Sequence, residues 1–419
     1  MTDNASTRVR RTAVRVAAAL LAGTTVLAVA PAAWATGAPV DRPAAAEEAR
    51  PDGAALRKAL DALVSEGGSS AALGEVRDHG RVVWRGAAGT GDLDTGSPAR
   101  ADGRFRIGSV TKTFVSTVVL QLVGEGRVGL DDPVERYLPG AVRGGDTITV
   151  RQLLNHTSGL YSYTDEPGFF FEDEATLRSW LDERRWTTYR PQQLVDIANR
   201  HEPYFPPGQG WRYSNTNYVL AGMLVEKVTG RSWNQEVERR IIRPLGLAHT
   251  SMPDTATTVP GVHAHGYLKL PSGGRADVTE LNPTMAGSAG AGISTTDDLA
   301  RFNAALLGGR LLRPAQLAEM KTTVDVGQGF GYGLGLMKYP APCGEFWGHG
   351  GGIPGYETMI LGDAQGRRQV ALSQNPFEEA APETGQRVTN AFLLGAACPG
   401  SGTGGAQVPQ LGENPASLR

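Results

Sequence analysis

Strand-like segments cluster toward the two ends of this chain, and that separation limits its fold more than any other feature. Near the start, Ser70 to Val76 and Arg81 to Gly86 read as strands joined by the turn Asp78-His79-Gly80, with Phe105 to Gly108 as a third. Near the end, Gly331–Leu336, Tyr356–Leu361 and Val370–Ser373 suit antiparallel strands. From about residue 130 to about 285 the pattern is helical and loop-rich, with runs at Val150–Leu154, Leu177–Leu181, Gln192–Ala198, Val219–Val228 and Trp233–Ile242. The expected fold class is therefore α/β of the α+β kind. One antiparallel sheet is built from both ends of the chain, with helices on its faces and an all-helical subdomain inserted between.

Further helices complete the frame. Ala54 to about Glu66 sets Leu56, Leu60 and Leu63 on one face, and the run from Ser109 to about Gly124 turns Val115, Val118, Val119, Leu122 and Val123 toward a core. A helix from Ile293 carries Leu299, Phe302 and Leu306, and a last one runs from Pro382 to Ala397. The 419 residues are 40% apolar and 20% charged, ample material for a core. Net charge is −2 and no basic run is interleaved with aromatics, so nucleic acid is not an expected partner.

Arg8, Arg10, Arg11 and Arg15 precede an apolar run from Val16 to Ala30, and Ala33-Trp34-Ala35 supplies a small-x-small cleavage site. Residues 1–35 thus read as a signal peptide for the Sec or twin-arginine route, too short in its apolar part for a comfortable membrane span. Residues 36–50 read as a linker, 51–400 as the folded domain, and 401–419 as a Gly-, Pro- and Ser-rich flexible tail. No cysteine near the cleavage site offers a lipid anchor, so the expectation is a secreted monomer without a membrane anchor. Cys343 and Cys398 are the two cysteines. In an oxidising compartment the simplest reading is one disulfide, with two free buried thiols as the alternative. Neither they nor the scattered histidines have metal-ligand spacing, and no metal or cofactor is expected.

Chemistry begins at Ser109-Val110-Thr111-Lys112. A serine and a lysine at i and i+3 share one side of a helical turn, and an amine held against a hydroxyl can take its proton. A serine cap beside a solvated lysine has the same pattern, so other stretches must decide. The second is Tyr213-Ser214-Asn215, where an extended segment would point Tyr213 and Asn215 to one side. A phenol acidified by a nearby ammonium can work as general base or acid, and an amide can donate to a substrate carbonyl. The third is the glycine loop His349-Gly350-Gly351-Gly352, in which an imidazole can orient substrate or relay protons and bare backbone N–H groups face a ligand.

In that order and separation, the three stretches resemble those of the serine DD-peptidases and class C beta-lactamases, most closely the secreted D-alanyl-D-alanine carboxypeptidases of Streptomyces. The likeness runs from about Pro51 to Pro399. It takes in Tyr137-Leu138-Pro139-Gly140, His156-Thr157-Ser158-Gly159-Leu160, Ser288-Ala289-Gly290-Ala291 and both cysteines, which are bonded in that family. The resemblance implies Ser109 as acylated nucleophile, Lys112 as its partner, Tyr213 as proton shuttle and Asn215 as holder of the substrate amide. It sets His349 where Lys-Thr-Gly lactamases have lysine, makes the Gly350–Gly352 stretch substrate-binding, and builds an oxyanion hole from the N–H groups of Ser109 and Gly352. His156 belongs to a stretch that looks structural and is left out of the site.

Three departures bear on the substrate, which the resemblance implies to be a cell-wall D-Ala-D-Ala peptide, an ester or a beta-lactam. The carboxypeptidases hold the terminal carboxylate with one arginine and two threonines; here those positions are Met337, Gly350 and Gly352. Lys338 would face the other way on a strand. The expectation is a carboxypeptidase-like, penicillin-binding serine hydrolase with weak carboxypeptidase activity. An esterase or D-amino-acid amidase, a slow beta-lactamase, and a silent cell-wall peptide binder are the alternatives. A nucleophile elbow at Ala286–Gly290 lacks its first glycine, and His263-Ala264-His265 lacks a third ligand.

Overall fold

The computed structural model describes residues 50–401 apart from 172, 328 and 379. The expected leader, nearly all of the linker and nearly all of the tail lie outside the described residues. Four strands come from the first part of the chain: β1 (Ser69–Asp78), β2 (Arg81–Asp92), β3 (Ser97–Pro98) and β4 (Phe105–Arg106). Three short ones lie in the middle: β5 (Tyr267–Lys269), β6 (Arg275–Asp277) and β7 (Ile293–Ser294). Six close the chain: β8 (Val324–Gly327), β9 (Phe330–Tyr332), β10 (Met337–Ala341), β11 (Gly344–Ile353), β12 (Tyr356–Asp363) and β13 (Arg368–Pro376).

Nine of these strands make one antiparallel sheet in the order β3-β2-β1-β13-β12-β11-β10-β9-β8. The joint between the two ends of the chain is β1 against β13, with Leu73 opposite Ser373 and Val76 opposite Val370. Both strands are buried along most of their length, with short apolar runs at Ala71–Leu73 and Val370–Leu372 within them. One face is covered by the Gly53–Ser65 helix, through Leu56, Leu60 and Leu63, together with the Pro382–Ala397 helix. The other carries the Thr296–Leu307 helix and the larger core around the Thr111–Gly124 helix. No helix among the described residues is long and apolar enough to cross a membrane.

Several elements differ from the sequence reading. Of Phe105 to Gly108 only Phe105–Arg106 is a strand, and it pairs with β7 rather than with the main sheet. The helix expected from Ile293 starts at Thr296, after that strand. The inserted region is not all-helical, because β5 and β6 form a hairpin within it. Gly331–Leu336 is strand only up to Tyr332, and β10 follows from Met337. The glycine loop after Trp347 is a strand, β11, paired with β12 from Phe346 to Ile353. Glycine weakens a strand on its own account, but continuous pairing with β12 outweighs that local preference.

Cys343 and Cys398 are bonded, with Cα atoms 5.5 Å apart, and no described cysteine is free. The bond ties the β10–β11 turn to the end of the last helix and closes a loop of sequence separation 55. On the chain-entropy argument a loop of that size is worth about 4 kcal/mol. Reduction should therefore lower Tm by several degrees in a thermal melt, whereas an unchanged Tm would show that the reduced chain is equally constrained.

Candidate active site

Ser109 sits in the single 3-10 turn Gly108–Val110, which runs directly into the Thr111–Gly124 helix. That helix is buried almost all round, as its mixture of Val, Phe and Thr on every face allows, so Lys112 has no route to water and is 0% exposed. Its amine is ringed by three oxygens: Ser109 Oγ at 2.9 Å, Asn215 Oδ1 at 2.7 Å and the Ala289 carbonyl at 2.7 Å. Burial pushes the Lys112 pKa well below its usual value, and no carboxylate offsets the effect. Burial therefore favours the neutral amine over the ammonium. The amine donates to Asn215 Oδ1 and the Ala289 carbonyl, which can only accept, and in its neutral form its lone pair would face the Ser109 hydroxyl. A general base needs that placement.

Tyr213 closes the other side, with Lys112 Nζ 4.8 Å from its ring centroid. Burial raises the Tyr213 pKa well above the ordinary phenol value. Ser109 is near enough to oppose the rise but makes no well-formed hydrogen bond to the phenol. The phenol is thus not acidified as expected: burial favours its protonated form, as it favours the uncharged form of the amine. Asn215 is not in an extended segment either, but is the first residue of the Asn215–Thr229 helix. Only Ser214 before it is extended, and the turn there lets Tyr213 and Asn215 converge on Lys112. The Asn215 side chain also donates from Nδ2 to Thr164 Oγ1 at 3.1 Å, leaving its second amide hydrogen for a ligand.

His349 is buried but does not point a free nitrogen at Ser109. The proton positions can be followed from a fixed donor. The Ser214 N–H and the Asn217 side-chain amide both reach His156 Nδ1 at 3.1 Å, so the His156 proton is on Nε2. His156 Nε2 is 3.1 Å from the Tyr332 hydroxyl and donates to it; Tyr332 in turn donates to His349 Nε2 at 2.8 Å. The His349 proton is then on Nδ1, which donates to the Gly350 carbonyl at 2.5 Å. Burial pushes His349 down to about 3. Both ring nitrogens are engaged, so the proton-relay reading gives way to a clamp on the backbone of β11.

The glycines of β11 are required by close approach. A Cβ on Gly351 would lie 2.0 Å from the Ile107 carbonyl oxygen, and one on Gly108, whose φ is +48°, would lie 2.7 Å from the Gly352 nitrogen. The Ser109 turn and β11 therefore touch backbone to backbone, with the amides of Ser109 and Gly352 brought to the same place. The pairing of β10 with β11 ends at Gly348, so Gly350–Gly352 have no strand partner on that edge.

Met337 is 2% exposed and its sulfur accepts from the Tyr339 hydroxyl at 3.2 Å. Lys338 pairs with Glu345 at 3.5 Å on the other face. Sequence reasoning missed Tyr332, Thr164 and the Ala289 carbonyl, and treated His156 as structural. Ala289 lies inside a stretch that carried the resemblance and Tyr332 inside one read as a strand, so a signal existed, though without a role attached. Ser288, in the rival elbow, donates to the Tyr218 carbonyl at 2.8 Å. His265 pairs with Asp277 at 2.7 Å, and among the described residues no three His, Cys, Asp or Glu side chains are placed to hold a metal.

Acylation of Ser109 by an activated ester should fall along a single acidic limb as Lys112 takes up a proton. That limb should lie well below the usual lysine range and persist in His349→Gln. A stopped-flow pH profile checks it; a limb in the ordinary lysine range, or one lost in His349→Gln, would contradict an uncharged Lys112 base.

The fold has known counterparts. A D-stereospecific amidohydrolase from Streptomyces sp. superposes with a TM-score of 0.75 and 46% identity, covering 83% of this chain and 100% of that one. Penicillin-binding protein 4* of Bacillus subtilis is 29% identical over 73% of this chain and 68% of its own length. Esterase EstB of Burkholderia gladioli is 29% identical over 78% of this chain and 92% of its own. Residues 56–392 match the Beta-lactamase family, and the chain belongs to that family, whose members are serine hydrolases.

Proposed function

We propose that this protein hydrolyses amide or ester bonds of D-configured substrates through an acyl-enzyme on Ser109, acting outside the cell. The observation that carries the reading is the buried Lys112 amine 2.9 Å from Ser109 Oγ, where burial disfavours its charged form. The substrate carbonyl lies along the open edge of β11 with its oxygen toward the amides of Ser109 and Gly352. Lys112 takes the Ser109 proton as Oγ attacks, and the two amides stabilise the oxyanion; one such donor is typically worth about 3 kcal/mol. The proton passes by way of Tyr213 to the leaving nitrogen or oxygen, and the C–N or C–O bond breaks. Water then attacks the acyl-enzyme by the reverse proton path and frees Ser109. Asn215 holds the substrate amide with its spare N–H, and His349 keeps β11 in place through Gly350.

The D-stereospecific amidohydrolase likeness supports the choice of D-configured amides. The carboxypeptidase reading, supported by the penicillin-binding relatives, remains as a minor activity because the positions that would anchor a terminal carboxylate are Met337, Gly350 and Gly352. A charge-assisted contact is worth about 1.5–3 kcal/mol, which corresponds to roughly ten- to a hundredfold in rate. A D-amino-acid anilide should therefore be cleaved at least about tenfold faster than its L-isomer. A peptide ending in D-Ala-D-Ala should be cleaved more slowly than the same peptide with a C-terminal amide. Steady-state kcat/KM on these four substrates is the test. Equal rates for the acid and its amide, or for the two isomers, would contradict the proposal.

A further inference from the structure

We infer that Glu357, which borders a small cavity beside the glycine strand, selects substrates whose leaving group carries a primary ammonium. The inference rests on the acyl-enzyme reading above and adds to it the charge of the substrate. Glu357 stands opposite Gly352 in the β11–β12 register, as Met359 stands opposite Gly350. Directly paired residues in an antiparallel sheet share a face, so Glu357 lies on the same face as Gly350 and Gly352. A side chain at either position would stand between the open edge of β11 and the carboxyl group. Glycine leaves that path bare.

The cavity is lined by Gly350, Gly351, Glu357, Met359, Gln374 and Thr389, among others, and offers about 20 Å³ to the centre of a water-sized group. That is room for one water or one ammonium, and too little for a guanidinium. Of the Glu357 oxygens, Oε2 accepts from Gln374 Nε2 at 2.7 Å, which leaves Oε1 for a ligand. No basic side chain among the described residues pairs with it. Burial pushes the carboxyl up, as expected of a negative charge that lacks a cation. A half-buried carboxylate without a counter-ion costs stability, and an incoming ammonium removes that cost.

The sign of the site is thus reversed. Where the resemblance calls for an arginine and two hydroxyls to hold a carboxylate, this chain has Met337, Gly350 and Gly352, and the ionisable group beside the cavity is a carboxyl, which an incoming ammonium would hold in its charged form. Lys112 lies across β11, on the face toward Ser109, and Lys338 is paired with Glu345.

The test uses the N-acetyl-D-alanine amides of ethylenediamine, ethanolamine and glycine, which place an ammonium, a hydroxyl and a carboxylate at similar reach. The wild-type protein should cleave them in that order, with kcat/KM for the ammonium substrate at least about tenfold above the hydroxyl one. In Glu357→Gln the ammonium-to-hydroxyl ratio should fall toward one. Equal rates for the wild type, or a preference that survives in Glu357→Gln, would overturn the inference while leaving Ser109 chemistry standing. The wild-type order tests it even if the variant does not fold. If no amide is cleaved and an activated ester fails to acylate Ser109, the hydrolase reading falls and this one with it.

Discussion

The interaction on which the rest depends is the burial of the Lys112 amine. A charged ammonium held there would have no carboxylate to balance it, so burial favours the uncharged amine beside the Ser109 hydroxyl. Its three oxygen neighbours come from three distant segments: the Ser109 turn, the start of the Asn215–Thr229 helix and the Gly287–Ala289 turn. The short ribbon of β4 with β7 ties the first of these to the third, pairing Phe105 with Ser294 just outside both turns. A base of this kind is therefore a product of tertiary structure, and no single stretch contains it.

The second constraint is backbone contact. With Gly108 and Gly351 back to back, the amides of Ser109 and Gly352 meet at one point, and the hydrogen-bonded run from His156 through Tyr332 to His349 holds β11 in that register. His156 itself adopts a left-handed conformation at φ +63°, an unfavourable one for a residue with a side chain. Its two ring nitrogens are satisfied by groups on either side of the site, which offsets that strain. The same glycines that permit the contact also strip β11 of side chains on its other face, and so shape what can lie beside it.

Much of this was legible in the sequence. Apolar periodicity located the helices from Gly53 and to Ala397 within a residue or so, and the strands at both ends implied the single sheet. The Ser109–Lys112 spacing and the Tyr213–Asn215 stretch named the residues that meet at the amine. What escaped had physical causes. The glycine stretch of β11 looked like a loop because glycine carries little strand propensity, and only pairing with β12 makes it a strand. The direction of the Tyr213 and Lys112 shifts depends on how deeply both are buried, which spacing does not encode. Tyr332 and the Ala289 carbonyl act through position alone, and a main-chain oxygen leaves no mark in a sequence.

The most direct measurement is intact-protein and peptide mass spectrometry after brief mixing with a penicillin, comparing the wild type with Lys112→Ala. The expected result is one covalent acyl adduct, mapped to Ser109, that forms rapidly in the wild type and is lost or greatly slowed in the variant. An adduct on any other residue, or equal acylation of Ser109 in the two proteins, would contradict a hydroxyl activated by a neutral buried amine.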